Sequence, residues 1–115
     1  MTTFHYQDFD KKEITFVANN DLALCLPDVR EKIKSLLSEC IIRALLITDI
    51  DHIHVIHDPV EFNSMREKFP QAHRTETSLG TDADATARLV KMFGYRNVAI
   101  WETDPDAYII ALGWN

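Results

Sequence analysis

Glycine is nearly missing from this chain, with three residues in 115. So few exclude the Gly-rich loops that cradle phosphates. The one glycine ahead of a helix start, in "SLGTDAD", is followed by Asp82 and Asp84, whose charge would repel an anion from the helix amides. Long apolar runs are missing too. The longest candidate, "LLSECIIRALLI", is interrupted by Glu39 and Arg43 and falls short of the ~20 residues of a membrane span, so no membrane partner is expected. The segment "MTTFHYQDFD" has neither the basic start nor the apolar stretch of a secretory signal, which makes the cytoplasm the expected location. Cysteine occurs only as Cys25 and Cys40. Their spacing fits no zinc or redox motif, and two small buried hydrophobes are expected rather than a disulfide.

Clusters of lysine and arginine are also lacking. The formal net charge is −6, and the acidic residues fall in scattered pairs: Asp8/Asp10 and, as three acidic loops, Asp49/Asp51, Asp82/Asp84 and Asp104/Asp106. Nucleic-acid binding needs clustered cations on the phosphates and is therefore not expected. The same balance permits another protein with a basic surface as partner. The three acidic pairs, with Trp114 as an apolar anchor, form the expected contact rim. No serine-centred nucleophile motif is present, since Ser35, Ser38, Ser64 and Ser78 lack a patterned base nearby.

What the sequence does contain is enough apolar residues, 46%, for one domain over residues 1–115 with a core of its own. "TFHYQDF" and "EITFVA" alternate as two strands joined by the polar "DFDKK", and "LALCL" reads as a third strand. Val29, Ile33, Leu36, Leu37, Cys40 and Ile41 make one helical stripe, with Asp28 as its cap. "IRALLITDI" reads as a buried strand, and "HIHVIH" as its continuation or the return arm of a hairpin. "DPVEFNSMREKFP" is a punctuated helix: Asp58 is the cap, Pro59 the first helical residue and Pro70 the stop.

"QAHRTETSLG" reads as a loop or short edge strand. A further helix opens at Thr81, buries Ala85, Leu89, Val90 and Phe93, and ends at Gly94. "NVAIW" is a strand. The tail from Asp104 either turns a hairpin into a strand or caps a short helix, and its β-branched and aromatic content favours the strand. The expected fold is α+β: a two-layer sandwich of one mixed sheet with about three helices mainly on one face.

The densest chemistry is "DIDHIHVIHDP" at residues 49–59. On a strand, His52 and His54 share a face about 7 Å apart, and His57 falls on the other unless the strand ends or bulges. Two imidazoles at that spacing can reach one divalent ion, zinc or nickel, with Asp51 or His57 as third ligand. A hydrolase would need an open position on that metal for water. The alternative is a strand whose rings face solvent and hold no cofactor. His5 and His73 have no sequence relation to the cluster. "HIHVIH" is superficially similar to the His-x-His-x-His run of histidine-triad hydrolases and to the His-x-His-x-Asp-His run of metallo-β-lactamases. Both require a ligand or catalytic group where Ile56 stands.

From "EITFVANNDLALCLPDVREKIKSLL" through "IRALLITDIDHIHVIHDPVEFNSMREKF", roughly residues 12–69, the order of elements resembles a STAS domain, the fold of anti-sigma-factor antagonists. That resemblance implies a protein-binding module. The family's phosphorylated Asp-Ser-Ser-Gly run should fall at His57, Asp58, Pro59 and Val60, so the phosphoswitch is not implied here. The expected function is a small non-catalytic protein-binding module of the regulator, inhibitor or immunity type. Metal binding or metal-dependent hydrolysis is the alternative, and a homodimer through an exposed sheet or the Trp114 tail a further one.

Overall fold

The computed structural model describes residues 1–7, 12–78, 83–102 and 108–115. Asp82, Asp104 and Asp106 of the expected rim lie outside them, as does the helix start at Thr81. Six strands build one mixed sheet: β1 (Thr2–Gln7), β2 (Glu13–Ala18), β3 (His52–Ile56), β4 (His73–Ser78), β5 (Asn97–Glu102) and β6 (Tyr108–Trp114). Four α-helices among the described residues accompany them: α1 (Pro27–Lys34), α2 (Glu39–Leu46), α3 (Pro59–Lys68) and α4 (Ala83–Phe93). The spatial order is β2-β1-β3-β5-β6-β4. β1, β3 and β5 run parallel at the centre, and antiparallel strands flank them on both sides. The α+β architecture is thus the one expected.

Strand alternation sorts the core into two clusters. Phe4, Ile53, Val55, Val98, Ile100 and Ala111 point to one face and meet Val29 and Ile33 of α1, Ile42 and Leu45 of α2, and Val90 of α4. Ile56, Ala99, Ile110, Leu112 and Trp114 point to the other and meet Phe62 of α3, with Met65 and Phe69 beside it. Each fully buried Leu, Ile or Phe here contributes about 1.5–3 kcal/mol. Three helices therefore cover the first face. On the second, α3 packs on β3 and β5, and Glu13, Thr15 and Val17 of β2 stay exposed. Among the described residues no helix is long and apolar enough to cross a membrane.

Local chemistry sets the element ends. Asp58 accepts from the Val60 amide at 2.9 Å and caps α3, with Pro59 as its first residue. Gly94 takes φ +69° and stops α4. Pro27 opens α1, while Asp28 lies in its first turn and is not its cap.

Several sequence expectations are corrected. "IRALLITDI" is not a strand: its first half is α2, whose Ile41, Ile42, Leu45 and Leu46 are all buried. An apolar run with that spacing suits a covered helix as well as a covered strand, and Ala, Leu and Arg favour the helix. The single helix through Ile41 is instead two, broken at residues 35–38, where the Ser38 amide turns aside to the Glu102 carboxylate at 2.7 Å. "LALCL" holds a 3₁₀ turn, Leu22–Leu24, capped by Asp21 accepting from the Ala23 amide. α4 buries Thr86, Ala87 and Val90, whereas Ala85 and Phe93 are exposed. Cys25 is buried but Cys40 is exposed. Two expectations hold: residues 73–78 of "QAHRTETSLG" form edge strand β4, and residues 108–114 of the tail form strand β6.

Candidate functional site

β1 and β3 lie side by side with His5 opposite His54 and Thr3 opposite His52. Phe4 on β1 and Ile53 and Val55 on β3 take the core side, so alternation turns His5, His52 and His54 together onto the second face. The His5 ring stacks on His54 with centroids 4.4 Å apart and planes within 12°. It also stacks on His52 at 5.2 Å. His5 Nε2 and His52 Nδ1 are 2.9 Å apart; one donates and the other accepts, so at least one of these two nitrogens carries no proton. The ring ladder continues from His54 to Trp114 at 5.8 Å and from Trp114 to Phe69 of α3 at 4.5 Å.

This packing disfavours a charge on His54 and on His5. Burial, then the neighbouring His5 and His52, push the His54 pKa down to about 4. Burial and His52 also lower that of His5, against an opposing pull from the Glu13 carboxylate.

Beside the ladder a cavity of about 270 Å³ opens between α3 and the uncovered strands. His5, Gln7, Glu13 and His54 line it from the sheet, and Glu61, Met65 and Lys68 from α3. Gln7 is 8% exposed, and its Oε1 is buried with no hydrogen-bond partner among the described residues. An orphaned buried acceptor costs about 1–3 kcal/mol. The cavity lies at the carboxyl-terminal halves of parallel β1 and β3, the end of such sheets where ligands bind. A larger cavity of about 620 Å³ lies between α3 and the far side of the sheet, lined by Arg66, Phe69, Arg74 and Leu112; none of the buried polar groups lacking a partner lines it.

The sequence-derived site residues are only partly brought together. His52 and His54 do share a face, half-buried rather than open to water, with His5 as the third ring. His57 points to the opposite face, its Nε2 3.5 Å from Glu102 Oε2 and its ring edge-on to Tyr6. Asp51 is engaged by Arg96, Nε to Oδ2 at 2.9 Å and Nη2 to Oδ1 at 3.2 Å. Among the described residues no three His, Cys, Asp or Glu side chains converge so as to hold a metal ion: the three imidazoles lie nearly parallel, and their nitrogens do not aim at one point. Asp49 sits by the C-terminal end of α4 and Asp84 in its first turn, about 15 Å apart along an 11-residue helix. Trp114, for which a partner anchor and core packing were both open, is 9% exposed, its ring taken up between His54 and Phe69.

His5, Gln7, Glu13 and Glu61 were not singled out by the sequence. The alternation of "TFHYQ" does place His5 and Gln7 on one face, but only the parallel pairing of β1 with β3 carries that face to His54.

A second polar cluster is fully buried on the helix-covered face. Glu102, at the end of β5, accepts from the Ser38 amide at 2.7 Å and from the Ser38 hydroxyl, and faces His57 with its other oxygen. A nucleophile relay needs the imidazole between hydroxyl and carboxylate. Here the carboxylate stands in the middle and engages the hydroxyl itself, so the cluster anchors the start of α2 to the sheet. No family model, curated protein or solved structure matches the chain.

Proposed function

We propose that this chain is a small non-catalytic binding module that docks on another protein, acting in the cytoplasm, and that its contact surface is the groove between α3 and the exposed strands β2 and β1. The buried, unpartnered Gln7 Oε1 at the groove's cavity carries this reading. The exposed side chains of β2 supply flat area beside that cavity, and the net charge of −6 favours a basic partner. The resemblance of residues 12–69 to STAS domains agrees with a docking role. Among the described residues, the one hydroxyl–carboxylate–imidazole set is ordered for anchoring rather than for attack.

The test places a photo-crosslinking amino acid at Thr15 in the groove and, separately, at Arg43 on the opposite layer. The reading requires an adduct from position 15 alone, lost in Gln7→Ala. Adducts from both positions, or from neither, overturn it. An adduct of twice the chain's mass identifies a second copy as the partner.

A second reading, divalent-metal binding, is favoured by one observation: His5 adds a third imidazole to His52 and His54. Zinc or nickel would need the rings to swing out of their stack to share an ion. Tag-free protein carrying about one equivalent of metal, with a thermal shift lost in His5→Gln, would establish it.

A further inference from the structure

We infer that the cavity beside α3 receives one arginine side chain of the partner protein; this rests on the docking reading above. About 270 Å³ lies below the roughly 300–1,000 Å³ of sites for drug-sized molecules and suits a single long side chain. The lining then selects the kind of side chain. Gln7 Oε1 needs a donor. Among the described lining residues, Glu13 of β2 and Glu61 of α3 are acidic and Lys68 is the one cation. An anionic group would meet two carboxylates, and an apolar group would leave Gln7 Oε1 unsatisfied. A cation with several N–H donors suits this lining.

Guanidinium fits better than ammonium. Its planar fork presents five donors in fixed directions that match carboxylates two at a time, and the His5 and His54 imidazoles line the same wall. Both are neutral at neutral pH, so they do not repel the incoming charge. Arginine is also the charged residue most often found as a buried anchor at protein interfaces.

The experiment titrates isotope-labelled full-length chain with a short, otherwise neutral peptide carrying one arginine, and with its citrulline counterpart, which keeps the shape and loses the charge. The arginine peptide is expected to shift the Gln7 side-chain amide and the His5 and His54 ring signals. The citrulline peptide should bind about tenfold more weakly or less. Glu61→Gln should cost a similar factor while leaving signals outside the cavity unchanged. Equal binding of the two peptides, or shifts confined to other surfaces, overturns the arginine assignment. So does silence from both peptides, and the Thr15 crosslink then decides separately whether the docking reading stands.

Discussion

His5 and His52, 47 positions apart in sequence, are joined ring to ring, Nε2 to Nδ1 at 2.9 Å, across two parallel strands. The contact needs one lone pair and one N–H. If both rings were protonated, each of these nitrogens would carry a hydrogen, and two cations would be stacked against a third ring, His54. At least one ring of this pair is therefore neutral.

Stability should follow from that with a definite sign. His54 titrates at about 4 in the folded chain against an ordinary value of 6.5, and His5 is shifted the same way. Between those values the unfolded chain binds more protons, so stability is lost as pH falls from 6.5 towards 4 and is insensitive to these groups above 6.5. Urea unfolding from about pH 7.5 to about pH 4.5 should show this loss, and unfolding should take up roughly one extra proton through His54. His54→Gln should flatten the profile. A His54 ring signal with its midpoint near 6.5 would contradict the packing described.

Glu102 should be among the costliest polar side chains to remove. Its side chain is 1% exposed, accepts from two groups of Ser38 and faces His57. Glu102→Ala leaves the Ser38 amide and the start of α2 without their acceptor, and should cost about 3 kcal/mol in urea unfolding. Ser38→Ala removes only the hydroxyl and should cost about 1 kcal/mol. A Glu102→Ala change below about 0.5 kcal/mol would mean the carboxylate does not anchor α2.

How far the sequence goes is shown by the segments on either side of this anchor. Asp58-Pro59 announces α3 because a cap and a fixed φ act locally, and Gly94 ends α4 for the same reason. Residues 35–50 misread as the end of one helix followed by a strand, because the break at Ser38 is made by Glu102, 64 positions away. His52 and His54 sharing a face followed from the two-residue period of a strand. His5 and Gln7 joining them depended on which strands lie adjacent, a property of the whole sheet that no local pattern carries.

Gly113 should tolerate no side chain. A Cβ built there runs into the Tyr95 ring, whereas a Cβ on Gly94 meets nothing and is opposed only by its φ of +69°. Gly113→Ala should cost about 1–3 kcal/mol by overpacking, and Gly94→Ala about 1 kcal/mol by backbone strain. The two are separable by a second change. Tyr95→Ala should restore part of the loss in Gly113→Ala, a coupling of about 1 kcal/mol, and restore none in Gly94→Ala.

β2 should govern any self-association. It is an edge strand, and no described strand pairs with its outer side. It carries no proline, and its only charge is Glu13 at its start. Ile14 and Val17 are 37% and 53% exposed on it. Edges of this kind invite another strand, and a lysine on the exposed face is the usual deterrent. Val17→Lys faces solvent in the single chain, so it should change unfolding free energy by less than about 0.5 kcal/mol. In sedimentation velocity the unsubstituted chain should associate as concentration rises and Val17→Lys should not. A chain that stays monomeric throughout would show that β2 is protected by something other than its sequence. Association that survives the substitution would move the interface elsewhere, with the exposed Ile47, Met92 and Phe93 at the ends of α2 and α4 next to be changed.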